Sequence, residues 1–384
     1  MPFEFTTAGR IIVGRGAVRE AGAAAAVFGR RALLVSGRSP ARAARVRDEL
    51  VVAGLDVIAW PTDGEPDTTS VTRGVAAARD AACDVVIGVG GGSALDSAKA
   101  IAAIAANDGD LFDYLEVIGG SQALTRPSLP VVAVPTTAGT GSEVTRNAVL
   151  TSSAHALKVS LRSPLMMPRV AIIDPELTVE LPRHLTATTG LDALTQLIEA
   201  FVSIRANPMT DALCREGIRR AALALPRACR DGTDLDARED MALASLWSGM
   251  ALANAALGAV HGCAGPIGGM FAAPHGALCA ALLPHMMAGN LDALRSTGIH
   301  APVLARFDEV ARLLTARRDA TADDGVVWIR ALCAELDVPH LSTWGVTRGG
   351  LDEVVANALR TSSMKGNPIV LSRDALAAIL DAAL

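Results

Sequence analysis

Short apolar runs separated by Ala-rich amphipathic stretches fill the first 180 residues of the chain. Residues 31–36 (RALLVS) read as a strand ending at Gly37, followed by a helix from about residue 40 to 55. Residues 57–60 (VIAW) read as a second strand, 61–67 as a loop, and 71–82 as a second helix. Residues 83–90 (CDVVIGVG) are nearly all apolar, the pattern of a parallel strand covered on both faces. A helix over 94–106 and a strand over 130–137 come next, then short strands near 144–151 and 169–173. Alternating strands and helices predict a parallel α/β sheet. After Pro182 the text becomes Ala/Leu helical to the end. The expected organisation is therefore an α/β domain over residues 1–180 and an all-helical domain over 181–384.

Composition narrows the function classes. With 384 residues, 51% hydrophobic and 20% charged, the chain supports packed cores rather than disorder. A net charge of -5 gives no reason to expect a nucleic-acid partner. No apolar run approaches the roughly 20 residues of a membrane span, and the N-terminus lacks the apolar core of a signal peptide. Six cysteines at 83, 214, 229, 263, 279 and 333 form no CxxC pair. That argues against a cysteine zinc site and for buried thiols in a reducing, cytoplasmic setting.

Two loops carry nucleotide chemistry. Gly90, Gly91, Gly92 and Ser93 follow an apolar strand and open a helix, where bare backbone and the helix dipole favour a phosphate. Ser93 and Asp96 are also plausible helix caps. The second loop, residues 135–143 (PTTAGTGSE), offers Thr136, Thr137, Thr140 and Ser142 with two glycines. Ligands of open α/β sheets bind beyond the carboxyl ends of strands. There is no GxxxxGK[ST], which disfavours a P-loop nucleoside triphosphatase. The first strand lacks GxGxxG and ends at Gly37 beside Arg38, with no acidic residue there to repel a 2′-phosphate. NAD and NADP both remain open.

In the helical half, Asp192 and Gln196 lie four apart on one helix face, with Glu199 three further on. His261 and His275 sit in two Gly-rich segments. One carboxylate and two imidazoles make a three-ligand divalent metal set that leaves room for substrate.

Six motifs in order resemble the iron-containing (group III) alcohol dehydrogenase family: GGGSALDSAKA (90–100), PTTAGTGSEVT (135–145), IIDPEL (172–177), TTGLDALTQLIEAFVS (188–203), VHGCAGPIGG (260–269) and APHG (273–276). The resemblance implies a dehydroquinate-synthase-like fold, a Rossmann-like cofactor domain followed by a helical domain, with the active site in the cleft. It implies hydride transfer between NAD(P) and a small alcohol or aldehyde, in a homodimer or larger homo-oligomer. By resemblance, Gly90 to Ser93 bind pyrophosphate, and Thr136, Thr137 and Ser142 line the cofactor. Lys158 lies near the cofactor and Leu177 near its ribose, while Asp192, His261 and His275 ligate the metal and catalyse.

Two positions depart from the family pattern. Gln196 stands where the iron form has His, as a weaker fourth ligand, which leaves Fe2+ or Zn2+ open. Gly265 stands where many members have a second His. Proton transfer then falls to a metal-bound water, the cofactor ribose or His285. The competing readings are a metal-independent reductase of the maleylacetate-reductase type and an NAD(P)-binding protein without turnover.

Overall fold

The computed structural model describes all residues except Met1, Arg38, Ala156, Ile299 and His300, and the side chain of Pro40. Arg38, noted beside Gly37 at the end of the first strand read from the sequence, therefore lies outside the described residues. The chain divides into two compact units, one spanning Thr6–Glu180 and the other built mainly from Leu181–Leu384. The segment before Thr6 groups with the second unit.

The first unit is built on β1 (Arg10–Val13), β2 (Arg31–Ser36), β3 (Asp56–Pro61), β4 (Val85–Gly90), β5 (Val131–Pro135) and β8 (Val170–Ile173). These pair in the order β1-β8-β5-β4-β2-β3, parallel throughout. β6 (Asn147–Ser152) and β7 (Leu157–Arg162) form a separate antiparallel pair. β1 and β7 had no counterpart in the sequence reading. β1 is four residues, half-exposed and set among polar text, so no apolar run announces it.

Strand alternation sorts one apolar run into two cores. Leu33, Val35 and Val86 pack on one face with Val71, Val75 and Ile101 of the helices Thr68–Asp80 and Gly92–Ala106. Ala32, Leu34, Val85 and Ile87 pack on the other with Val46 and Leu50 of the helix Pro40–Val52. Each strand is buried on both sides, which is why it reads as continuously apolar.

The order places a topological switch between β2 and β4. From β2 the chain goes to β3 on one side, then returns to β4 on the other. A crevice opens at such a point beyond the strand ends. Gly37 closes β2, and its N–H donates to the Val89 carbonyl at 3.0 Å. Gly90 closes β4, with its Cα 3.9 Å from a Cβ built on Gly37.

Behind the crevice, a buried lysine ties three segments together. The Lys99 ammonium donates to the Ser142 carbonyl at 3.0 Å, the Thr145 hydroxyl at 3.0 Å and the Asn147 carbonyl, and pairs with Asp96 at 3.0 Å. It thereby fixes the second loop and β6 onto the helix Gly92–Ala106. Glu143, in the same loop, is also buried, and desolvation pushes its carboxyl up to about 7 against the pull of Lys99.

The second unit is helical among its described residues. Its central helix, Arg183–Val202, is buried along nearly its whole length from Thr186 onward. It packs against the helices Pro208–Arg230, Leu235–Ala255 and His275–Thr297. A helix buried all round has no polar stripe, which explains its weak periodicity. The His275–Thr297 helix is long and apolar enough to cross a membrane by length and composition alone, but 72% of its apolar window is buried inside the unit.

Glu143 sets a pH dependence. The folded protein keeps a proton on it that the unfolded chain releases, so its contribution to stability falls as pH rises from the ordinary glutamate value of 4.5 to about 7. The drop is on the order of 3 kcal/mol. Melting temperatures of Glu143→Gln and the parent, measured across pH 4.5–8, should converge at low pH and diverge above 7, with the variant higher. A parallel pair of curves would refute the assignment.

Candidate functional site

The first site element is the glycine turn after β4. Gly91 is the N-cap of the helix Gly92–Ala106, and no side chain caps that end. Ser93 lies one position inside the helix. Asp96, anticipated as a cap, instead accepts from the Ser142 hydroxyl at 2.5 Å and the Val149 N–H at 2.9 Å. Its place is one turn into the helix, too far along to reach the first N–H groups, and those groups stay available to an anion.

The glycines are required by space. A Cβ on Gly90 would stand 2.7 Å from Ala94 Cβ, on a backbone with φ of +152°. A Cβ on Gly92 would meet Thr140 at 2.8 Å, and one on Gly91 would meet Thr137 at 3.2 Å. The second loop is therefore pressed against the first. Thr136 donates its N–H to the Gly90 carbonyl at 2.9 Å, and its hydroxyl accepts from Arg42 at 3.4 Å. Bare backbone, an uncapped helix N-terminus and flanking hydroxyls fit a dinucleotide pyrophosphate.

The remaining cofactor candidates sit differently. Ser142 is buried with its hydroxyl committed to Asp96. Lys158, on β7, pairs with Glu65 at 2.7 Å. Leu177 is buried in the core beneath the sheet face carrying Val89 and Val134. All three hold the framework in the structure as it stands.

The second site element gathers donors from three helices. Asp192 comes from Arg183–Val202, His261 from the first turn of Ala259–Phe271, and His275 from the start of His275–Thr297. The structure brings the three together, as the sequence predicted for them as a set. His261 Nε2 lies 3.2 Å from Asp192 Oδ1, and His275 Nε2 lies 3.8 Å from the same oxygen. Asp192 is 2% exposed along its side chain and His275 37%, so the cluster is sealed on one side and open at His275.

Cys279 joins them, one turn beyond His275. Its Sγ is 3.6 Å from His275 Nε2 and 3.7 Å from His261 Nε2. The absence of a CxxC pair argued against a cysteine zinc site, and the structure places one cysteine beside a carboxylate and two imidazoles. A mixed donor set needs no second cysteine, and the i,i+4 spacing His275–Cys279 was the signal available. All six cysteines are free thiols.

Glu199 organises the cluster from behind. One oxygen accepts the Val260 N–H at 2.7 Å, and the other holds His261 Nδ1 at 2.7 Å. Asn367 Oδ1 accepts the Ala259 N–H at 3.1 Å. Together these two side chains cap the His261 helix, whose own N-cap, Gly258, has none to offer. A Cβ at Gly258 would come within 2.8 Å of Glu199 and 2.9 Å of Asn367. Asn367, in the Gly-Asn-Pro turn, received no role from the sequence.

A carboxylate only accepts, so Nδ1 of His261 carries the proton and Nε2 faces the donor cluster. Desolvation alone would lower the His261 pKa, but Cys279 and the bonds to Asp192 and Glu199 raise it well above the usual histidine value. His275 is raised by Cys279, against burial, and by Asp192. Burial would raise Asp192, but the imidazoles outweigh it and hold the carboxyl low. These directions mark an excess of acceptors around the two imidazoles, and a dication suits the same donors. His285, expected at a helix start, lies well inside the His275–Thr297 helix, where burial, Arg330 and His340 lower its pKa.

A nucleotide-binding α/β unit with a helical unit carrying a divalent-metal cluster defines a metal-assisted, nucleotide-dependent oxidoreductase. Residues 8–175 match the family description "iron-containing alcohol dehydrogenase", and 186–384 match "Fe-containing alcohol dehydrogenase family, C-terminal". The chain belongs to the iron-containing alcohol dehydrogenase family. It is 36% identical over 379 residues to an NAD-dependent methanol dehydrogenase of Bacillus methanolicus, covering 97% of each chain. It is 40% identical over 323 residues to a 1,3-propanediol dehydrogenase of Citrobacter freundii, covering 82% of this chain and 80% of that one. A solved 1,3-propanediol oxidoreductase superimposes with a TM-score of 0.93 at 35% identity, covering both chains completely. The protein is an NAD(P)-dependent, metal-assisted alcohol dehydrogenase that transfers hydride between the cofactor and a small alcohol or aldehyde.

Two substitutions probe the two elements. Gly90→Ala should lose about 1–3 kcal/mol of stability through strain at φ +152° and weaken NADH binding, read by melting and by fluorescence titration. Glu199→Gln keeps one accepting oxygen where the Val260 N–H and His261 Nδ1 need two, and it loses the charge, so it should weaken metal affinity by about 10–100-fold while NADH affinity holds. Unchanged metal affinity would remove Glu199 from the site.

Proposed function

We propose that Asp192, His261 and His275 are the metal ligands and catalytic residues for reversible oxidation of a short primary alcohol or diol. The observation that carries this reading is the convergence of one carboxylate and two imidazoles, sealed behind and open at His275. When bound, the metal supplies Lewis-acid polarisation of the substrate oxygen, and the nicotinamide gives or takes the hydride.

The chain's own residues do the positioning. Asp192 supplies negative charge to the buried centre and fixes the two imidazoles around it. Glu199 keeps the His261 proton on Nδ1, so Nε2 presents its lone pair inward. His275, the open member, marks where substrate reaches the cluster. Gly90, Gly91, Gly92 and Ser93 anchor the cofactor pyrophosphate, with Thr136 and Thr137 flanking it. Ser142, Asp96 and Lys158 keep those loops in shape, and Leu177 supports the floor. Gly37 leaves the strand end free of an acidic side chain, so both NAD and NADP are to be assayed.

Methanol and 1,3-propanediol, named for the two relatives, set the size of substrate to try first. We take Gln196 to stand at a position that holds His in the iron form, and the working protein to be a cytoplasmic homodimer or larger homo-oligomer. The free cysteines and the family resemblance support those last points, and sedimentation velocity tests the assembly.

The deciding experiment combines metal analysis with turnover. Gently purified protein should carry about one divalent metal per chain and reduce short aldehydes with NADH or NADPH. Asp192→Asn and His261→Ala should lose about 10³-fold or more in kcat/KM, equivalent to about 4 kcal/mol, with NADH binding retained. Full activity after complete metal removal would sink the proposal.

A further inference from the structure

We infer that Cys279 is the fourth protein ligand of the metal, in the place that Gln196 leaves. The inference rests on the metal-assisted reading of the same site.

Geometry is the first support. Asp192, His261, His275 and Cys279 each offer one donor atom, and these atoms all lie within 4.8 Å of one another. A tetrahedral centre with ordinary metal–sulfur and metal–nitrogen bonds separates its sulfur and nitrogen donors by about 3.5 Å. The two sulfur–nitrogen separations here are 3.6 and 3.7 Å. The thiol therefore stands at ligand distance from both imidazoles at once.

Gln196 is engaged elsewhere. Its Oε1 accepts from the Ser248 hydroxyl at 2.9 Å, and its Nε2 points to Asp192 Oδ2 at 3.4 Å. Asp192 accepts but cannot donate, so the amide nitrogen is the end that faces it. An amide N–H₂ group has no lone pair to give a metal. The carbonyl oxygen, the only ligand atom in Gln196, lies against the Ser248 hydroxyl on another helix, which also reaches the Ser245 carbonyl at 2.8 Å.

Donor chemistry is the third support. A thiolate is an anionic, strong donor to a dication, where an amide oxygen is a neutral and weaker one. Binding displaces the thiol proton to solvent as the metal–sulfur bond forms, with no change of oxidation state. A site of one carboxylate, two imidazoles and one thiolate favours zinc, cobalt or iron over magnesium or manganese.

The test uses the full chain, stripped with chelator and reloaded with Co(II) alone, with cobalt measured by plasma mass spectrometry. One cobalt per chain should appear with an intense near-ultraviolet thiolate-to-cobalt charge-transfer band. The band should vanish in Cys279→Ser and Cys279→Ala and survive in Cys263→Ser. Zinc affinity, by competition with a chromophoric chelator, should fall by about 100-fold or more in the Cys279 variants. NADH fluorescence titration checks that each variant is folded, and the wild-type spectrum is decisive without them. Stoichiometric cobalt without the band, or a band that persists in a folded Cys279 variant, overturns the Cys279 assignment and leaves the metal site standing. Failure of the parent protein to bind any cobalt overturns both.

Discussion

The Glu199 carboxylate is the interaction on which the metal cluster depends. It is buried on the central helix, and it satisfies the N-terminus of the His261 helix while fixing the His261 ring. A helix start without a cap of its own leaves backbone donors unpaired, which burial makes expensive. Glu199, from a different helix, meets that need together with Asn367 and also sets the tautomer of His261. The capping requirement and the chemical requirement are met by the same two oxygens. Gly258 follows from this, because only a residue without Cβ lets Glu199 and Asn367 come so close.

A comparable economy holds the cofactor turn. The switch between β2 and β4 creates the crevice, and the absence of side chains on Gly37, Gly90, Gly91 and Gly92 keeps backbone exposed in it. Lys99 supplies rigidity from beneath by bonding three carbonyl or hydroxyl oxygens and Asp96. A fully buried ammonium persists only because every one of its donors is matched. Asp96, read in the sequence as a cap, and Ser142, placed along the cofactor by resemblance, both take part in this support.

The donor cluster draws on the helix repeat twice. Asp192 and Gln196 share a face of one helix, and His275 and Cys279 share a face of another. The two pairs meet across the unit, but they divide the work unequally, since Ser248 draws the Gln196 oxygen away. The electrostatics are consistent with this arrangement. Asp192, Glu199 and Cys279 around the two imidazoles raise both histidines, and a divalent ion answers the same excess of acceptors.

Much of this was legible in one dimension. The apolar runs of β2, β4 and β5 and the turn glycines are local patterns, and local geometry is what a sequence encodes directly. Asp192, His261 and His275 were identifiable as a set because their residue types share a chemistry, and their motifs resemble a known family. β1 was not legible, because it is four residues long, half-exposed and stabilised by its partner strand, while β7 (LKVSLR) carries apolar–polar alternation rather than a continuous apolar run. Nor was the role of Cys279, whose neighbours in sequence are apolar and whose neighbours in space are two imidazoles. Glu199 was visible only as a residue near the right face. Sequence spacing on a single helix fixes which side chains share a side, so it determined the candidate donors. Which of them meet, and which are turned away to a serine or a backbone N–H, depends on how separate helices pack, and only the tertiary structure decided that.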